Sequence, residues 1–535
     1  MEEKKDIGIS SLEWQRMYLR LTLDPAIPQG AFIAQDVATG QELVLQYLDQ
    51  DGYYAINVTT AIRRAPLPAG TYRLGFKDGS GFRPLALTVQ QAGRLDQLQR
   101  VFYYGKGFYS YNVTVEAEFS ADRIYMLLRT AFMMANDHPK RRRIAEGRTA
   151  KGRLKQLGRM AAEGLIKAVY GVGETFARHD GRHVLFMSQT YDHMSGNLQV
   201  LSQRLEQRQL GYKITYSVED LLKPGAHLAG WWRSTTRLCG QDYIFTDDYE
   251  PVFAFVTLSP KTKLIQVWHS GAGFKTCGFG RYGHDDAPHP YRMSHRQIDY
   301  AVVCAKPIQT EFMEIFGLEA DAMLPVGIPR LDGYMDPAKQ AAFRQKFFAD
   351  HPQWLGKKII LFAPTFRGKG GRDAYYDFSQ IDFKGLDKVL GDQYVMLFKF
   401  HPFVRQPIAI PDYCREKCFD FTSYPDINQL FYVTDLLITD YSSCFYEFAL
   451  FHKPMLFFTP DEAQYALERG FYRSVEDTAP GTICRTFPQL LKAIRDKDFD
   501  MAKIDAFIAR SHNTNPGTAS DAIIDTVLLG KPVSR

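Results

Sequence analysis

The sequence predicts an α/β protein with two doubly wound halves, preceded by a small β-sandwich and a basic helical linker. From His183 onward, short apolar runs alternate with amphipathic helical patterns, which is typical of a parallel sheet covered by helices on both faces. A second series of such units begins near Lys357 and continues to about Ile494. Before both series, residues up to about Gln90 alternate polar and apolar side chains between Gly and Pro turns, which favours antiparallel strands.

The length of the chain indicates several domains. At 535 residues and 45% apolar composition, it is an ordinary globular sequence that exceeds the size at which one hydrophobic core stops growing. We expect a β-sandwich-like accessory domain over residues 1–118 and a basic amphipathic helical segment over 119–180. Two Rossmann-like halves follow over residues 181–335 and 336–535. We expect GIPRLDGYM and the following helix AKQAAFRQKFF to form the hinge, and the carboxyl-terminal SDAIIDTVLLG helix to pack back onto the sheets.

The segment from Ala121 to Arg178 has a helical pattern, beginning with DRIYMLLRTAFMMAN, and is rich in Lys and Arg. The stretch from Lys140 to Lys167 contains ten basic residues and only two acidic ones. A basic amphipathic helix suits an anionic membrane surface, where each basic residue contributes on the order of 1 kcal/mol. A solvated linker helix remains the equal alternative, whereas the mild net charge of +5 and the lack of an RNA-binding motif argue against a nucleic-acid partner. The apolar stripe of this helix would consist of Leu154, Leu157, Met160, Leu165 and Val169.

The sequence carries few features that indicate membrane targeting, disulfide formation or metal binding by cysteines. The chain has no run of about 18 apolar residues, and its start, MEEKKDIGISSLEWQR, lacks the apolar core of a signal peptide. We therefore expect a cytoplasmic protein. The seven cysteines are scattered, and Cys414 and Cys418 have no second ligand pair at zinc spacing, so we expect reduced, structural thiols.

The stretch DINQLFYVTDLLITDYSSCFYEFALFHKP predicts a phosphate-binding turn. The apolar run Leu436–Ile438 is typical of a buried parallel strand, and a polar turn then opens a helix. Hydroxyl groups and free backbone N–H groups at the positive end of the helix dipole hold an anion without a metal, although an ordinary helix cap has the same composition. The turn contains Thr439, Asp440, Ser442 and Ser443, and we expect Asp440 to cap the helix rather than bind a metal.

Three other segments also place polar residues just after a predicted strand. These segments are KLIQVWHSGAGFK, KKIILFAPTFRGKGG and YVMLFKFHPFV. Ligands of open α/β sheets bind outside the carboxyl ends of the strands, so the four segments are expected to converge on one cleft. The residues concerned are His269, Ser270 and Gly271 in the first segment, Thr365 and Arg367 in the second, and Lys399 and His401 in the third.

Together and in order, these segments resemble the CDP-glycerol:poly(glycerophosphate) glycerophosphotransferase family, the polymerases and primases of wall teichoic acid and related polymers. The matching motifs are WHSGAGFK, GIPRLD, APTFRGK, FKFHP, the phosphate-turn stretch and ERGFYRSVEDTAPGTICRT. The resemblance runs from about Arg182 to Leu529. Ser270-Gly271-Ala272 replaces the commoner Gly-Thr-Pro of the family, a departure that concerns the choice of acceptor more than the chemistry.

The resemblance implies a glycosyltransferase-B fold, with the cleft between an acceptor-side first half and a CDP-donor-side second half. The implied reaction transfers glycerol phosphate or ribitol phosphate from its CDP ester to a hydroxyl of a lipid-linked acceptor and releases CMP. No metal and no cofactor are expected, and the enzyme would work peripherally at the cytoplasmic face of the membrane.

The resemblance also implies roles for individual residues. His269 would be the general base, because an imidazole with a pKa of about 6.5 suits that role at neutral pH. His401, beside Lys399, would bind the pyrophosphate or protonate the departing CMP. The donor phosphates would contact Arg330, Thr365, Arg367, Arg469 and the phosphate turn, with Glu447 on the ribose. The acceptor side would include Ser195, Asn197, Ser270 and Gly271, whereas Asp247-Asp248 is expected to be a solvated loop.

Two other functions stay open on the sequence alone. One is a nucleotide-sugar glycosyltransferase or epimerase of the same fold, and the other is a non-catalytic scaffold that binds membrane or polymer. The sequence also leaves open the polyol, the acceptor, the number of units added, the role of the β-domain and the oligomeric state.

Overall fold

The computed structural model describes most of the chain. The residues outside the description are 1–6, 25–29, 51, 63, 105–108, 121, 134–148, 190–192, 195, 222–227, 272, 285–286, 288–291, 369–372, 513–516 and 533–535. The basic run at 140–143 and the predicted acceptor residue Ser195 therefore lie outside the described residues.

The amino-terminal region is built from antiparallel strands, as its alternating pattern predicts. In β2, for example, Leu19, Leu21 and Leu23 are buried while the residues between them are partly exposed. Eleven strands in the described part join into one hydrogen-bonded network, and the short helix α1 (Val89–Ala92) lies between β8 and β9. The strands are β1 (Ile7–Gln15), β2 (Tyr18–Asp24), β3 (Ala31–Asp36), β4 (Glu42–Val44), β5 (Leu48–Gln50), β6 (Tyr53–Asn57), β7 (Gly70–Asp78), β8 (Gly81–Ala86), β9 (Arg100–Tyr104), β10 (Tyr109–Phe119) and β11 (Ile124–Met133).

The helix predicted to begin near Ala121 is wrong in its first part. The residues Ile124–Met133 form β11, which pairs antiparallel with β10 from Ser110 opposite Met133 to Phe119 opposite Ile124. Burial alternates along the later part of the strand, where Leu128 and Thr130 are buried while Arg129 and Ala131 are exposed. The strands of the β-domain therefore continue past residue 118.

The second part of the predicted helix exists as α2 (Ala150–Thr175), which begins where the Thr149 side chain accepts a hydrogen bond from Gly152 N. One face of α2 buries Ile166 and Tyr170 in the core of the first half. The opposite face leaves an apolar stripe in solvent, formed by Leu154, Leu157, Leu165 and Val172. No helix among the described residues is both long and apolar enough to cross a membrane.

The first Rossmann-like half contains a parallel six-stranded sheet in the order β13-β12-β14-β15-β16-β17 within the described residues. Its strands are β12 (His183–Ser188), β13 (Lys213–Val218), β14 (Tyr243–Thr246), β15 (Lys263–Gln266), β16 (Tyr300–Val302) and β17 (Met323–Leu324). The helices of this half are α3 (Gly196–Gln207), α4 (Leu228–Leu238) and α5 (Gln309–Phe316).

The second half contains a parallel sheet in the order β20-β19-β18-β21-β22-β23. Its strands are β18 (Lys358–Phe362), β19 (Tyr394–Phe398), β20 (Cys418–Asp420), β21 (Thr434–Thr439), β22 (Met455–Phe458) and β23 (Thr482–Cys484). The order reverses between β18 and β21, so the loops after these two strands form the switch point at which such sheets bind ligands.

The remaining helices complete the second half and return the chain to the first. They are α6 (Pro337–Asp350), α7 (Phe383–Leu390), α8 (Ile427–Leu430), α9 (Cys444–Ala449), α10 (Glu462–Arg469), α11 (Val475–Thr478), α12 (Phe487–Asp496), α13 (Met501–Ser511) and α14 (Ala519–Ile523). As predicted, the carboxyl-terminal helix packs back, since Ile523, Ile524 and Leu528 belong to the core of the first half. Asp332 fixes this return by accepting hydrogen bonds from Ala519 N (2.9 Å) and Ser520 N (2.8 Å).

Candidate active site

Arg330 joins the two halves at the centre of the cleft. Its Nη1 donates to the backbone oxygen of His269 (2.6 Å) in the first half, and its Nη2 pairs with Glu447 on α9 in the second half. The backbone N–H of Arg330 donates to Asn197 Oδ1 (2.9 Å) at the start of α3. The GIPRLD turn therefore brings together the histidine loop and the phosphate-turn helix, which are two of the four segments predicted to converge.

His269 follows β15, and its Nε2 makes no hydrogen bond within the described part of the chain. The chain turns at Trp268, whose φ is 51°, and the two rings lie 4.2 Å apart. The Nδ1 atom of His269 lies 3.0 Å from the backbone oxygen of Asp247. Because a carbonyl only accepts, Nδ1 carries a proton, so in the neutral ring the lone pair is on Nε2. The side chain is 44% exposed, so this lone pair is available to a substrate.

The prediction that Asp247-Asp248 is a solvated loop is wrong for Asp247. Asp247 is 5% exposed, and nearby Glu250 is 1% exposed and accepts a hydrogen bond from Gln189 N. Burial, with a smaller contribution from the charge of Asp248, raises the pKa of Asp247 to about 7, and burial raises the pKa of Glu250 well above its usual value. The Asp248 carboxylate lies 3.8 Å from His269 Nδ1. In the sequence, two adjacent acidic residues suggest a solvated loop. In the structure, the loop after β14 places the backbone oxygen of Asp247 and the Asp248 carboxylate beside His269 Nδ1.

His401 has the opposite tautomer. Its Nδ1 accepts a hydrogen bond from Phe403 N (3.1 Å), so in the neutral ring the proton is on Nε2. Burial, with the charges of Lys275 and Lys399, lowers the pKa of His401 to about 4. At neutral pH His401 is therefore an uncharged imidazole that carries its proton on Nε2.

The phosphate turn follows β21 as predicted, and Asp440 organises it. The Asp440 Oδ1 accepts hydrogen bonds from Thr365 N (2.7 Å) and Ser442 N (3.2 Å), which ties the loops after β18 and β21 together. The Thr439 hydroxyl is buried and donates to Ala363 O (2.7 Å), so it faces the protein. Ser443 is the N-cap residue of α9, yet its side chain makes no capping hydrogen bond. Ser442 and Ser443 are both half-buried, and the Ser442 hydroxyl accepts a hydrogen bond from Cys444 N (3.5 Å).

Arg367 contacts carboxylates rather than the open cleft. It donates to Asp440 Oδ2 (2.9 Å) through Nη1 and to both oxygens of Asp461 through Nε and Nη2 (2.5 and 2.9 Å). These partners raise the pKa of the guanidinium despite its burial. Its guanidinium also lies over the rings of Tyr441 and Tyr465. Arg367 therefore holds the phosphate turn in shape, and its charge is already balanced.

Three of the remaining predicted residues donate hydrogen bonds to backbone oxygens. Lys399 donates to Thr422 O (2.8 Å), and Arg469 donates to Gly368 O (2.6 Å) beside the ring of Phe366. Asn197 is buried and donates from Nδ2 to the backbone oxygen of Trp268, so it positions the histidine loop. Ser270 is half-buried, and Gly271 is buried where a Cβ atom would lie 2.6 Å from Cys304 Sγ.

Sequence reasoning missed Lys275, which belongs to the same WHSGAGFK segment as His269. Its Nζ lies 3.3 Å from the Thr365 hydroxyl, so a side chain from the first half reaches the switch point of the second. The available signal was its place six residues after the histidine, in a loop already predicted to enter the cleft.

Comparison with known proteins identifies the family of the chain. Residues 174–529 match the family described as CDP-Glycerol:Poly(glycerophosphate) glycerophosphotransferase. The chain belongs to this family. The family expected from the motifs is thus confirmed, and the matched region contains both sheets and the cleft between them.

Similar curated proteins are teichoic acid enzymes. The chain is 33% identical over 346 residues to the teichoic acid poly(ribitol-phosphate) polymerase of Bacillus spizizenii, a match that covers 65% of this chain and 56% of that protein. It is also 33% identical over 365 residues to the ribitol-phosphate polymerase TarK of Staphylococcus aureus, covering 67% of this chain and 71% of that protein. The chain thus spans little more than half the length of the first relative.

Solved structures share the fold. The structure of the wall teichoic acid polymerase TagF matches with a TM-score of 0.56 at 20% identity, covering 74% of this chain and 98% of that chain. A TagF variant soaked with CDPG matches with a TM-score of 0.57 at 21% identity, with the same two coverages. The predicted two-half α/β architecture is therefore that of TagF.

Proposed function

We propose that this chain transfers a polyol phosphate from its CDP ester to a hydroxyl of an acceptor, forming a phosphodiester and releasing CMP. The observation that carries the proposal is the pair of histidines with opposite tautomers, one on each half. His269 offers an unprotonated Nε2 to the acceptor side, and His401 offers an Nε2–H to the donor side. Family membership supplies the reaction class to which this arrangement is suited.

The proposed reaction uses these two nitrogens in one displacement. The acceptor oxygen attacks the phosphorus nearest the polyol, while its proton moves to His269 Nε2. The bond between that phosphorus and the bridging oxygen breaks, and its electron pair remains on CMP. Hydrogen bonds from His401 Nε2–H and the hydroxyls of Ser442 and Ser443 stabilise the charge that develops there. The nearby Asp248 carboxylate stabilises the imidazolium formed at His269.

The two halves have separate tasks in this proposal. The first half, residues 181–335, binds the acceptor, and the second half, residues 336–535, binds the CDP donor at its switch point. In this proposal Lys399 and Arg469 contact the phosphates, whereas Arg330 and Arg367 pair with Glu447 and Asp440 and keep these carboxylates in place. No metal or cofactor is required by these steps.

Curated relatives indicate which donor to test first. Proteins named ribitol-phosphate polymerases match over 65–67% of this chain, whereas the Bacillus subtilis poly(glycerol phosphate) polymerase matches over 32% of it. We therefore favour CDP-ribitol over CDP-glycerol, in the synthesis of a bacterial cell-surface polymer.

The helix α2 is proposed as the membrane contact, with the enzyme peripheral on the cytoplasmic face. Its outer stripe of Leu154, Leu157, Leu165 and Val172 is exposed and flanked by Lys and Arg, an arrangement suited to anionic lipid. A lipid-linked acceptor would be met at that surface. The β-domain would then serve as an accessory domain on the side of the first half.

The deciding experiment incubates purified protein with CDP-ribitol, CDP-glycerol or a UDP-sugar, each beside a lipid-linked polyol-phosphate acceptor. Mass spectrometry should detect acceptors extended by polyol phosphate units, with CMP released in equal amount. Turnover of the UDP-sugar alone would favour a glycosyltransferase. Absence of turnover with all three donors, in protein that is folded and binds CDP, would favour a scaffold.

A further inference from the structure

A short backbone bridge connects the two halves beside the phosphate turn. Thr276 N donates to Gly470 O (3.2 Å), and Tyr472 N donates to Phe274 O (2.9 Å), so Lys275 and Phe471 pair antiparallel. The rings of Phe274 and Phe471 stack with centroids 4.6 Å apart. The two motif segments GFKT and RGFY therefore bind each other across the cleft.

Gly470 allows this approach. Its φ of 71° suits a residue without a Cβ atom, and a Cβ there would lie 2.7 Å from Thr276 Oγ1. The same hydroxyl donates to Arg469 O (2.6 Å). The bridge therefore fixes the backbone on both sides of Lys275.

Lys275 reaches across the cleft to the second half. It is half-buried, its Nζ lies 3.3 Å from the Thr365 hydroxyl, and the Tyr465 ring centre is 5.6 Å away. Within the described residues it has no carboxylate at ion-pair distance. Its charge acts on the buried Asp440 carboxylate, which already pairs with Arg367. An anion bound at the adjacent turn would be a direct partner for the ammonium group.

From this geometry we infer that Lys275, a residue of the acceptor half, binds the pyrophosphate of the nucleoside-diphosphate donor across the cleft. The inference rests on the proposed function for the identity of the donor. Thr365 and the phosphate turn surround the donor phosphates from the second half, and Lys275 contributes a charge from the first. The donor site is then complete only when the GFKT and RGFY segments are paired.

The test uses titration calorimetry of the full chain with CDP and with inorganic pyrophosphate. Lys275→Met should weaken binding of both roughly 10- to 100-fold, the usual value of a charge-assisted hydrogen bond, and Lys275→Arg should restore most of the affinity. Lys261→Met, at an exposed lysine outside the cleft, is the matched control and should bind as wild type does. Gly470→Ala should weaken binding in the same direction by breaking the bridge.

Circular dichroism and thermal unfolding first establish that each variant is folded. Wild-type affinity for pyrophosphate in folded Lys275→Met would overturn the inference, as would failure of the wild type to bind either ligand. Because inorganic pyrophosphate is the probe, the outcome does not depend on turnover. A wild type that binds pyrophosphate through Lys275 but uses no CDP-polyol would refute the proposed function and leave the inference in place.

Discussion

The Arg330–Glu447 pair provides the most direct test of how the cleft is assembled. Replacing Arg330 by Met removes the positive charge while keeping most of the side-chain volume. Glu447, 3% exposed, would then carry a buried charge without a partner, and the backbone oxygen of His269 would lose its donor. The variant should therefore lose both stability and the position of the histidine loop.

The expected magnitude follows from burial. Removing one partner of a buried ion pair costs about 3–5 kcal/mol. The Arg330 side chain is 18% exposed, so solvent screens part of the pair, and we expect about 2–4 kcal/mol. Replacing Glu447 by Gln in the same protein removes the unpaired charge and should recover a large part of that loss.

A double-mutant cycle measures this coupling. Urea unfolding of wild type, Arg330→Met, Glu447→Gln and the double variant should give a coupling free energy of about 2 kcal/mol, and turnover should fall in Arg330→Met. Strictly additive effects of the two substitutions on unfolding would refute the reasoning, because the pair would then not link the halves energetically.

Three other predictions follow from the site and from α2. His269→Ala should lower turnover roughly 10²- to 10⁴-fold with little change in CDP binding, and a variant above a tenth of wild-type activity would remove it from the role of base. Ser442→Ala or Ser443→Ala should weaken CDP-polyol binding by about 1.5–3 kcal/mol in calorimetry, whereas unchanged affinity in both would make the turn a simple cap. Replacing Leu157 and Leu165 by Glu should release the protein from anionic vesicles, while turnover on a short soluble acceptor is retained. Binding of the wild type to these vesicles should also weaken as the salt concentration rises. Equal sedimentation of variant and wild type with the vesicles would show that α2 faces solvent.

The sequence predicts the cleft well because its parts are local. A short apolar run followed by polar residues specifies a buried strand and the loop at its carboxyl end, so the placement of His269 and the phosphate turn needs no tertiary information. β11 is different, because YMLLRTAFMM carries both periods and its pairing with β10 decides the outcome. Residue propensity alone does not decide between a strand and a helix for this segment.

Side-chain partners are the part that the sequence does not predict. From the sequence, we predict Arg367 to be a phosphate ligand. In the structure, its guanidinium pairs with Asp440 and Asp461, which lie 73 and 94 residues away in the chain. Lys275 shows the reverse, because a lysine in a glycine-rich loop is ordinary until the RGFY segment is found beside it. Both depend on contacts between distant segments.

The return of the carboxyl-terminal helix to the first half restricts how the cleft opens. The chain leaves the first half after Asp332, and its carboxyl-terminal helix α14 returns to the same place, where Ala519 and Ser520 donate hydrogen bonds to Asp332. These hydrogen bonds tie together the points at which the chain leaves and rejoins the first half. Movement of the second half relative to the first should therefore be smallest beside Asp332.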